Sequence, residues 1–218
     1  MPQVFSPSAN TLARVIIVGG GLLVAVASGA LFTFYRSPFV TNVNIAKAQP
    51  VAFSHQRHVA GNGIDCRYCH TSVENSSFAG IPATETCMSC HSQILPDSTI
   101  LQPVRDSWNN DTPLVWTRLN DVPDFVYFNH SVHIAKGVGC TTCHGQVDEM
   151  PLTWKAETLH MQFCVNCHER PEQALRAKED VFSTTWRAPS DQLEIGKQLL
   201  ENNKIHTSQL TNCSVCHR

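Results

Sequence analysis

The sequence predicts one membrane-spanning helix followed by a mostly irregular domain of short helices. Two observations predict this fold class. Residues 15–35 form an apolar run of 21 residues, and all ten cysteines lie in five Cys-x-x-Cys-His pentapeptides. The pentapeptides begin at positions 66, 87, 140, 164 and 213 and are called motifs 1 to 5 in that order. The formal net charge of −2 gives no indication of a nucleic-acid partner, so none is expected.

The apolar run at 15–35 is long enough to cross a membrane. Its only ionisable side chain is that of Tyr35, and an arginine stands on either side of it. At about 1.5 Å per residue, a helix of this length spans a hydrocarbon core of roughly 30 Å. A cleaved secretory signal is the competing interpretation, because Ala25-Val26-Ala27 would suit signal peptidase. The run is longer than a typical signal core, so we expect an uncleaved anchor.

The five pentapeptides are haem-attachment motifs. Two thiols one helical turn apart add to the two vinyl groups of a haem, and the adjacent histidine binds its iron. A lone Cys-x-x-Cys would also suit half a zinc site or a redox dithiol, but here a histidine follows every pair. We therefore expect a multihaem cytochrome c with five covalently bound haem c groups. The predicted attachment residues are Cys66, Cys69, Cys87, Cys90, Cys140, Cys143, Cys164, Cys167, Cys213 and Cys216. The predicted proximal iron ligands are His70, His91, His144, His168 and His217.

The predicted domains are an N-terminal segment, 1–36, with its anchor at about 15–35, and a pentahaem domain, 37–218. Because c-type haem is attached outside the bacterial cytoplasmic membrane, we expect a single-pass protein whose haem domain lies on the periplasmic side. About 37 residues per haem leave little aliphatic core, so porphyrin faces are expected to fill much of the interior. One longer helix is predicted at Gln192–Asn203, where Asp191 would cap it in a capping box.

The motif spacing indicates an internal duplication. Spacings of 21, 53, 24 and 49 residues make two close pairs and a single motif. Phe-x-His-x-x-His stands before the first pair at Phe53–His58 and before the second at Phe128–His133, an offset of 75 residues. The motif offsets of 74 and 77 nearly equal it. We therefore define two modules, 53–91 and 128–168, and a C-terminal haem site at 213–217.

The duplicated histidine pairs are the predicted distal iron ligands. Histidines at i and i+3 share one helical turn and can direct both imidazoles toward two adjacent haems. A lone histidine more often has a surface or structural role, but the repeated pattern beside haem motifs favours ligation. The predicted distal ligands are His55, His58, His130 and His133.

The distal ligand of the fifth iron has several candidates. They are Met161, Met150, His160 and His206. His206 lies seven residues before Cys213, which is the spacing of His133 to Cys140. A methionine ligand would raise the potential of that haem relative to bis-histidine neighbours. Spacing alone leaves the choice open.

Four segments carry a resemblance to a known family. They are 126–133 (VYFNHSVH), 143–150 (CHGQVDEM), 159–164 (LHMQFC) and 213–218 (CSVCHR). With the anchor, they resemble the pentahaem cytochrome c subunit of alternative complex III, a bacterial quinol:electron-acceptor oxidoreductase. That family has a small residue where His160 stands and methionines at Met150 and Met161, so the resemblance favours the methionines over His160 as fifth ligand, with Met161 slightly ahead of Met150. His206 is not part of the family pattern, and here resemblance and spacing disagree.

The resemblance implies a role as an electron-transfer subunit with no catalytic site of its own. It further implies integral membrane quinol-binding subunits, a periplasmic iron–sulfur subunit, and a monohaem cytochrome c or another soluble electron acceptor. Residues 15–34 contain no acid, base or histidine, so the anchor alone is a poor quinol site.

Two alternative functions follow from the same motifs. One is a single-anchor quinol dehydrogenase of the small multihaem type, but that type places its first motif nearer the membrane than Cys66 stands here. The other is a reductase of a small oxyanion, which needs an iron with an open sixth position. The sequence has more candidate distal ligands than irons, so an open sixth position is not expected, and this disfavours the reductase.

Overall fold

The computed structural model describes residues 5–217, which form two compact units that divide between Val43 and Asn44. The first unit contains α1 (Ala9–Arg36) and α2 (Pro38–Thr41). The division falls a few residues beyond the predicted boundary at 36/37, because α2 contacts α1 and the rings of Phe34 and Phe39 lie 5.7 Å apart.

Helix α1 contains the whole predicted apolar run. It is 28 residues long, has a mean hydropathy of 2.4 in its most apolar window, and has no buried residue. By length and composition it can cross a membrane, although a signal sequence would have the same properties. The helix ends at Arg36 because Ser37 is extended (φ −69°, ψ 156°), as expected for a residue before proline.

The second unit consists of short helices joined by irregular segments. No β-strand occurs in residues 5–217, where two isolated bridges pair Ala46 with Trp154 and Val138 with Leu175. This architecture confirms the predicted fold class. Its α-helices are α3 (Cys66–Cys69), α4 (Thr84–His91), α5 (Gln102–Asn109), α6 (His130–Ala135), α7 (Cys140–His144), α8 (Met161–Glu169), α9 (Gln192–Asn202) and α10 (Cys213–Cys216). Tighter or wider turns occur at Gln56–Gly61 (π-helical) and at Thr99–Leu101, Val147–Glu149, Pro171–Gln173, Lys178–Asp180 and Thr207–Gln209 (all 3-10).

Each Cys-x-x-Cys pair lies on a helical turn, in α3, α4, α7, α8 and α10. This placement brings the two sulfur atoms of a motif to the same side of a short helix, as haem attachment requires. Local sequence supports the first of these turns, since the Asp65 carboxylate accepts a hydrogen bond of 2.8 Å from the backbone amide of Arg67.

Few aliphatic side chains are buried. The buried hydrophobic residues among those described are Val51, Val73, Val104, Met150, Leu175 and Val181. Such a small set agrees with the expectation, drawn from composition, that this domain has little conventional core.

Helix α9 spans Gln192–Asn202, close to its predicted bounds, but the predicted capping box is wrong. Asp191 makes no side-chain capping bond because its backbone (φ −100°, ψ 21°) is not in the extended conformation that capping uses. The helix is held instead by packing on the turn at Pro171–Gln173. Gly196 lies so close to it that a Cβ would overlap the Glu172 carbonyl, and the Gln192 amide donates to that carbonyl at 2.9 Å.

Candidate haem-binding site

The first histidine pair lies at the π-helical turn of module 53–91. The imidazole of His58 faces that of His91 in motif 2, with ring centroids 6.1 Å apart. The ring of Phe53 stacks on His58 at 4.5 Å and meets His55 edge-on at 4.9 Å. The phenylalanine of the repeated sequence thus fixes the orientation of both imidazoles.

The second pair repeats this arrangement on α6. His130 faces His144 of motif 3 with ring centroids 6.3 Å apart, and His133 faces His168 of motif 4 at 6.1 Å. The ring of Phe128 contacts both, at 4.7 Å from His130 and 4.5 Å from His133. The duplication found in the sequence is therefore also a duplication of side-chain geometry.

The remaining distal histidine, His55, lies beside motif 1. Burial and the nearby His70 lower the pKa of His55 to about 4. Its Nδ1 lies 2.9 Å from the Thr153 hydroxyl. In each module the first histidine of the pair therefore lies near the first motif and the second faces the second motif.

The spacing of these imidazoles fits a shared metal ion. A metal–nitrogen bond is about 2 Å long, and the ring centre lies about 1.1 Å from the nitrogen. Two imidazoles that bound one iron from opposite sides would therefore have ring centroids about 6 Å apart. The three measured separations, 6.1, 6.3 and 6.1 Å, agree with this value. The residues present thus fit haem iron held by two histidines.

Hydrogen bonds at Nδ1 select which nitrogen can bind the metal. Eight of the nine predicted ligand histidines have Nδ1 within 2.6 to 3.2 Å of a protein oxygen. When Nδ1 donates its proton there, Nε2 keeps its lone pair for iron, and the ring orientation is fixed. His55 has the Thr153 hydroxyl as its partner, and the other seven have backbone carbonyls. The pairs are His58 with Ser54, His70 with Gly80, His91 with Ile94, His130 with Ser77, His133 with Asn129, His168 with Leu210 and His217 with Phe125.

The ninth histidine, His144, is held by burial. Burial and its neighbours His130 and His70 lower its pKa to about 4. Burial also lowers the pKa of His133. These side chains are therefore neutral near pH 7, and the neutral imidazole is the form that binds a metal.

Motif 5 is contacted by the segment that precedes the second module. The Phe125 ring stacks on His217 with centroids 5.8 Å apart, and the Tyr127 amide donates to the Cys216 carbonyl at 2.8 Å. These bonds fix α10 on the segment that precedes the second module. The distal side of this motif has no histidine from the duplicated pairs.

The candidates for the fifth distal position lie in different places. Met150 is 1% exposed, and its methyl end lies near Gly145, directly after motif 3. Met161 is 68% exposed and begins α8, the helix of motif 4. His160 immediately precedes α8, and His206 is an exposed residue that precedes the turn at Thr207–Gln209.

Two residues near the motifs were not found from the sequence. Thr153 supplies the oxygen beside His55 from 98 positions away. The guanidinium of Arg176 donates to the hydroxyls of Thr141 and Thr142, the two variable residues of motif 3. No local sequence signal marks either residue, because each reaches its motif through tertiary folding.

The helical turns of Cys-x-x-Cys-His and the paired imidazoles define a c-type multihaem cytochrome. The family "Cytochrome c7 and related cytochrome c" matches residues 51–102, and the family "Cytochrome c3" matches residues 132–218. The first match includes the whole first module, and the second includes most of the second module with the C-terminal motif.

A curated relative extends this result. The multihaem cytochrome c subunit of menaquinone reductase from Nitratidesulfovibrio vulgaris (strain Hildenborough) is 32% identical over 143 residues, which cover 56% of this chain and 68% of the relative. The chain therefore belongs to the family of multihaem electron-transport cytochromes c of the c3 and c7 type, which carry covalently bound haem c.

Proposed function

We propose that this chain relays electrons through five covalent haems as the single-anchor subunit of a membrane quinol:acceptor oxidoreductase of the alternative complex III type. The observation that carries the proposal is the set of facing imidazoles, His58 with His91, His130 with His144, and His133 with His168. A haem iron with two such ligands exchanges single electrons and has no open position for a substrate. An arrangement of this kind suits conduction rather than catalysis.

The protein's own residues keep the ligands in place during electron transfer. The Nδ1 hydrogen bonds hold each imidazole ring, and the rings of Phe53 and Phe128 pack on the distal pairs. Ligands that are fixed in one orientation need little rearrangement when the oxidation state changes, which favours fast transfer.

For the fifth iron we propose Met161 as distal ligand. Met150 lies beside motif 3, where His144 already faces His130. Met161 lies on α8 one turn before Cys164, and α8 contacts the segment before motif 5, where Nδ1 of His168 lies 3.0 Å from the Leu210 carbonyl. This placement and the family resemblance agree, whereas His206 is supported by spacing alone.

The proposal places α1 in the bacterial cytoplasmic membrane and the haem domain on its periplasmic side. Since residues 15–34 offer no acid, base or histidine, quinol must be oxidised by partner subunits. The proposed partners are integral membrane quinol-binding subunits, a periplasmic iron–sulfur subunit and a monohaem cytochrome c or other soluble acceptor. Support comes from the relative, which is by name a subunit of a quinone-linked complex.

The same relative favours a second candidate function. Its name describes a menaquinone reductase, in which electrons flow toward the quinone rather than away from it. A chain of bis-histidine haems conducts in either direction, so the partners and the potentials determine the direction. We propose quinol oxidation as the first candidate and menaquinone reduction as the second.

Purification in mild detergent tests the proposal. A C-terminally tagged full-length chain should co-purify with polytopic membrane proteins and an iron–sulfur protein, and intact mass should show five haems per chain. A matched control chain, with residues 1–36 replaced by a cleavable export signal, should carry the haems but lose the membrane partners. Recovery of the full-length chain alone, from membranes that are active in quinol oxidation, would refute the subunit role.

Rapid mixing of the purified complex decides between the two directions. Two rates are compared: the reduction of the haems by a quinol analogue, and the oxidation by quinone of haems that were first reduced chemically. The first rate should be the faster. The opposite ratio of rates would support menaquinone reduction. Nitrite consumption by the complex would instead indicate the oxyanion reductase.

A further inference from the structure

We infer that the haem sites lie in the spatial order 2, 1, 3, 4, 5, so that the two modules join through their first motifs. The order differs from the order along the chain, in which motif 2 would pass electrons to motif 3. The inference takes the number of haems, five, from the proposed function and rests on it in that respect. It is carried by side-chain and backbone contacts between the motifs.

Within each module the two motifs touch. The Tyr68 hydroxyl of motif 1 lies 3.0 Å from the Ser89 hydroxyl of motif 2. In the second module His130 and His133 lie one turn apart on α6, and their rings face those of His144 in motif 3 and His168 in motif 4 at 6.3 and 6.1 Å. Motifs 1 and 2 are therefore neighbours, and so are motifs 3 and 4.

Between the modules the contacts join motif 1 to motif 3. The Arg67 guanidinium of motif 1 lies 4.4 Å from the centre of the Phe182 ring, and the Cys140 amide of motif 3 donates to the Val181 carbonyl at 3.3 Å. Motifs 1 and 3 therefore contact adjacent residues of the same segment, Val181 and Phe182. The two first motifs of the duplication thus face each other.

Backbone bonds hold this junction in place. In the π-helical turn the Gln56 amide donates to the Met150 carbonyl at 3.1 Å. On the other side the amides of His130 and Ser131 donate to the carbonyls of Ser77 and Ser76, in the turn that follows motif 1. Each distal histidine pair is therefore attached to the other module.

The C-terminal motif follows motif 4. His168 of motif 4 lies 3.0 Å through Nδ1 from the Leu210 carbonyl, three residues before motif 5. The line of sites therefore ends at motif 5 on one side and at motif 2 on the other.

This order determines where electrons enter and leave. Electron transfer slows steeply with distance, so each electron moves between neighbouring haems. The two ends, motifs 2 and 5, are then the sites for exchange with other proteins, and motifs 1, 3 and 4 are internal steps.

The positions of the irons test the order directly. Anomalous scattering at the iron edge, from crystals of the haem-loaded full-length chain or its complex, locates each iron, and the chain trace assigns it to a motif. The iron of motif 1 should have those of motifs 2 and 3 as its nearest neighbours. An iron of motif 2 closer to motif 3 than to motif 1 would overturn the order. A missing iron would contradict the proposed count of haems, while the neighbours of the remaining irons would still decide the order.

A second inference concerns Arg176, which is a buried cation beside motif 3. It is 3% exposed, its Nη2 donates to the hydroxyls of Thr141 and Thr142 at 2.8 and 3.2 Å, and its guanidinium lies 4.1 Å from the centre of the Trp186 ring. Its Nη1 donates to backbone carbonyls, and its buried Nε has no partner among the described residues. Within residues 5–217 no carboxylate forms an ion pair with it, and Asp180 interacts with it only at longer range.

We propose that Arg176 raises the reduction potential of the haem at motif 3. A ferric haem carries one more positive charge than a ferrous haem, so a nearby buried cation disfavours the ferric state. Burial and the absence of a paired carboxylate leave the guanidinium charge weakly screened. The central haem of the line therefore accepts electrons more readily.

Redox titration of haem-loaded variants tests this role. Arg176→Gln, which keeps donor groups but removes the charge, should shift the reduction equilibrium of one haem about tenfold, or about 59 mV, toward the ferric state. Arg176→Lys, which keeps the charge, should leave the potential near its normal value. Arg187→Gln removes an exposed charge nearby and serves as control. Equal shifts for Arg176→Lys and Arg176→Gln, or no shift for either, would overturn the electrostatic role.

Discussion

Replacing His133 with alanine should open one iron and leave the others six-coordinate. The ring of His133 faces that of His168 at 6.1 Å, while His130, one turn earlier, faces His144. Each distal imidazole therefore serves one motif. The expected change is one high-spin haem among the five proposed, that is, about a fifth of the total haem.

Carbon monoxide binding measures this change. The wild-type chain should bind none, because the proposal gives every iron two protein ligands, and His133→Ala should bind one molecule per chain in the ferrous state. Val132→Ala is the matched control, since Val132 is the exposed neighbour on the same helix and should leave binding at zero. Electron paramagnetic resonance should show the same stoichiometry as a new high-spin ferric signal.

Two results would refute the reasoning. If His133→Ala stays fully low-spin with all haems attached, the imidazole is not a ligand and the facing rings have another role. If the wild-type chain itself binds carbon monoxide, at least one iron has an open position, and catalysis at that haem becomes the better hypothesis.

The remaining predictions concern packing and the fifth ligand. Gly196→Ala should lower the free energy of unfolding by about 1 to 3 kcal/mol, because its Cβ overlaps the Glu172 carbonyl. In thermal unfolding, Gly61→Ala is its control, since the new Cβ makes only an ordinary contact of 3.5 Å there; equal melting temperatures would show that α9 can move away. Met161→Leu should abolish the near-infrared methionine-to-iron charge-transfer band, and Met150→Leu should retain it, whereas a wild-type chain without such a band would favour His206.

Much of the haem-binding site is local in sequence and was predictable. Cys-x-x-Cys-His contains its own geometry, because two cysteines three residues apart meet on one helical turn and the histidine follows directly. The distal pairs were predictable for the same reason, since His130 and His133 share one turn and the pattern occurs twice. The apolar run likewise predicted α1, because a spanning helix depends on length and composition alone.

The capping box of α9 shows where local patterns fail. Asp191 and Glu194 have the right spacing, but the helix is positioned by contacts of Gly196 and Gln192 with a turn about twenty residues earlier. The backbone of Asp191 lies outside the extended conformation that capping requires. Tertiary packing therefore overrode the local signal.

By itself, the sequence determined the class of protein and predicted the attachment cysteines and the iron ligands, because each depends on residues a few positions apart. Only the tertiary structure decided which distal histidine lies beside which motif, that motif 1 neighbours motif 3, and that Arg176 lies buried beside Thr141. These relations join residues tens of positions apart. They depend on how the short helices pack, and no local spacing encodes that packing.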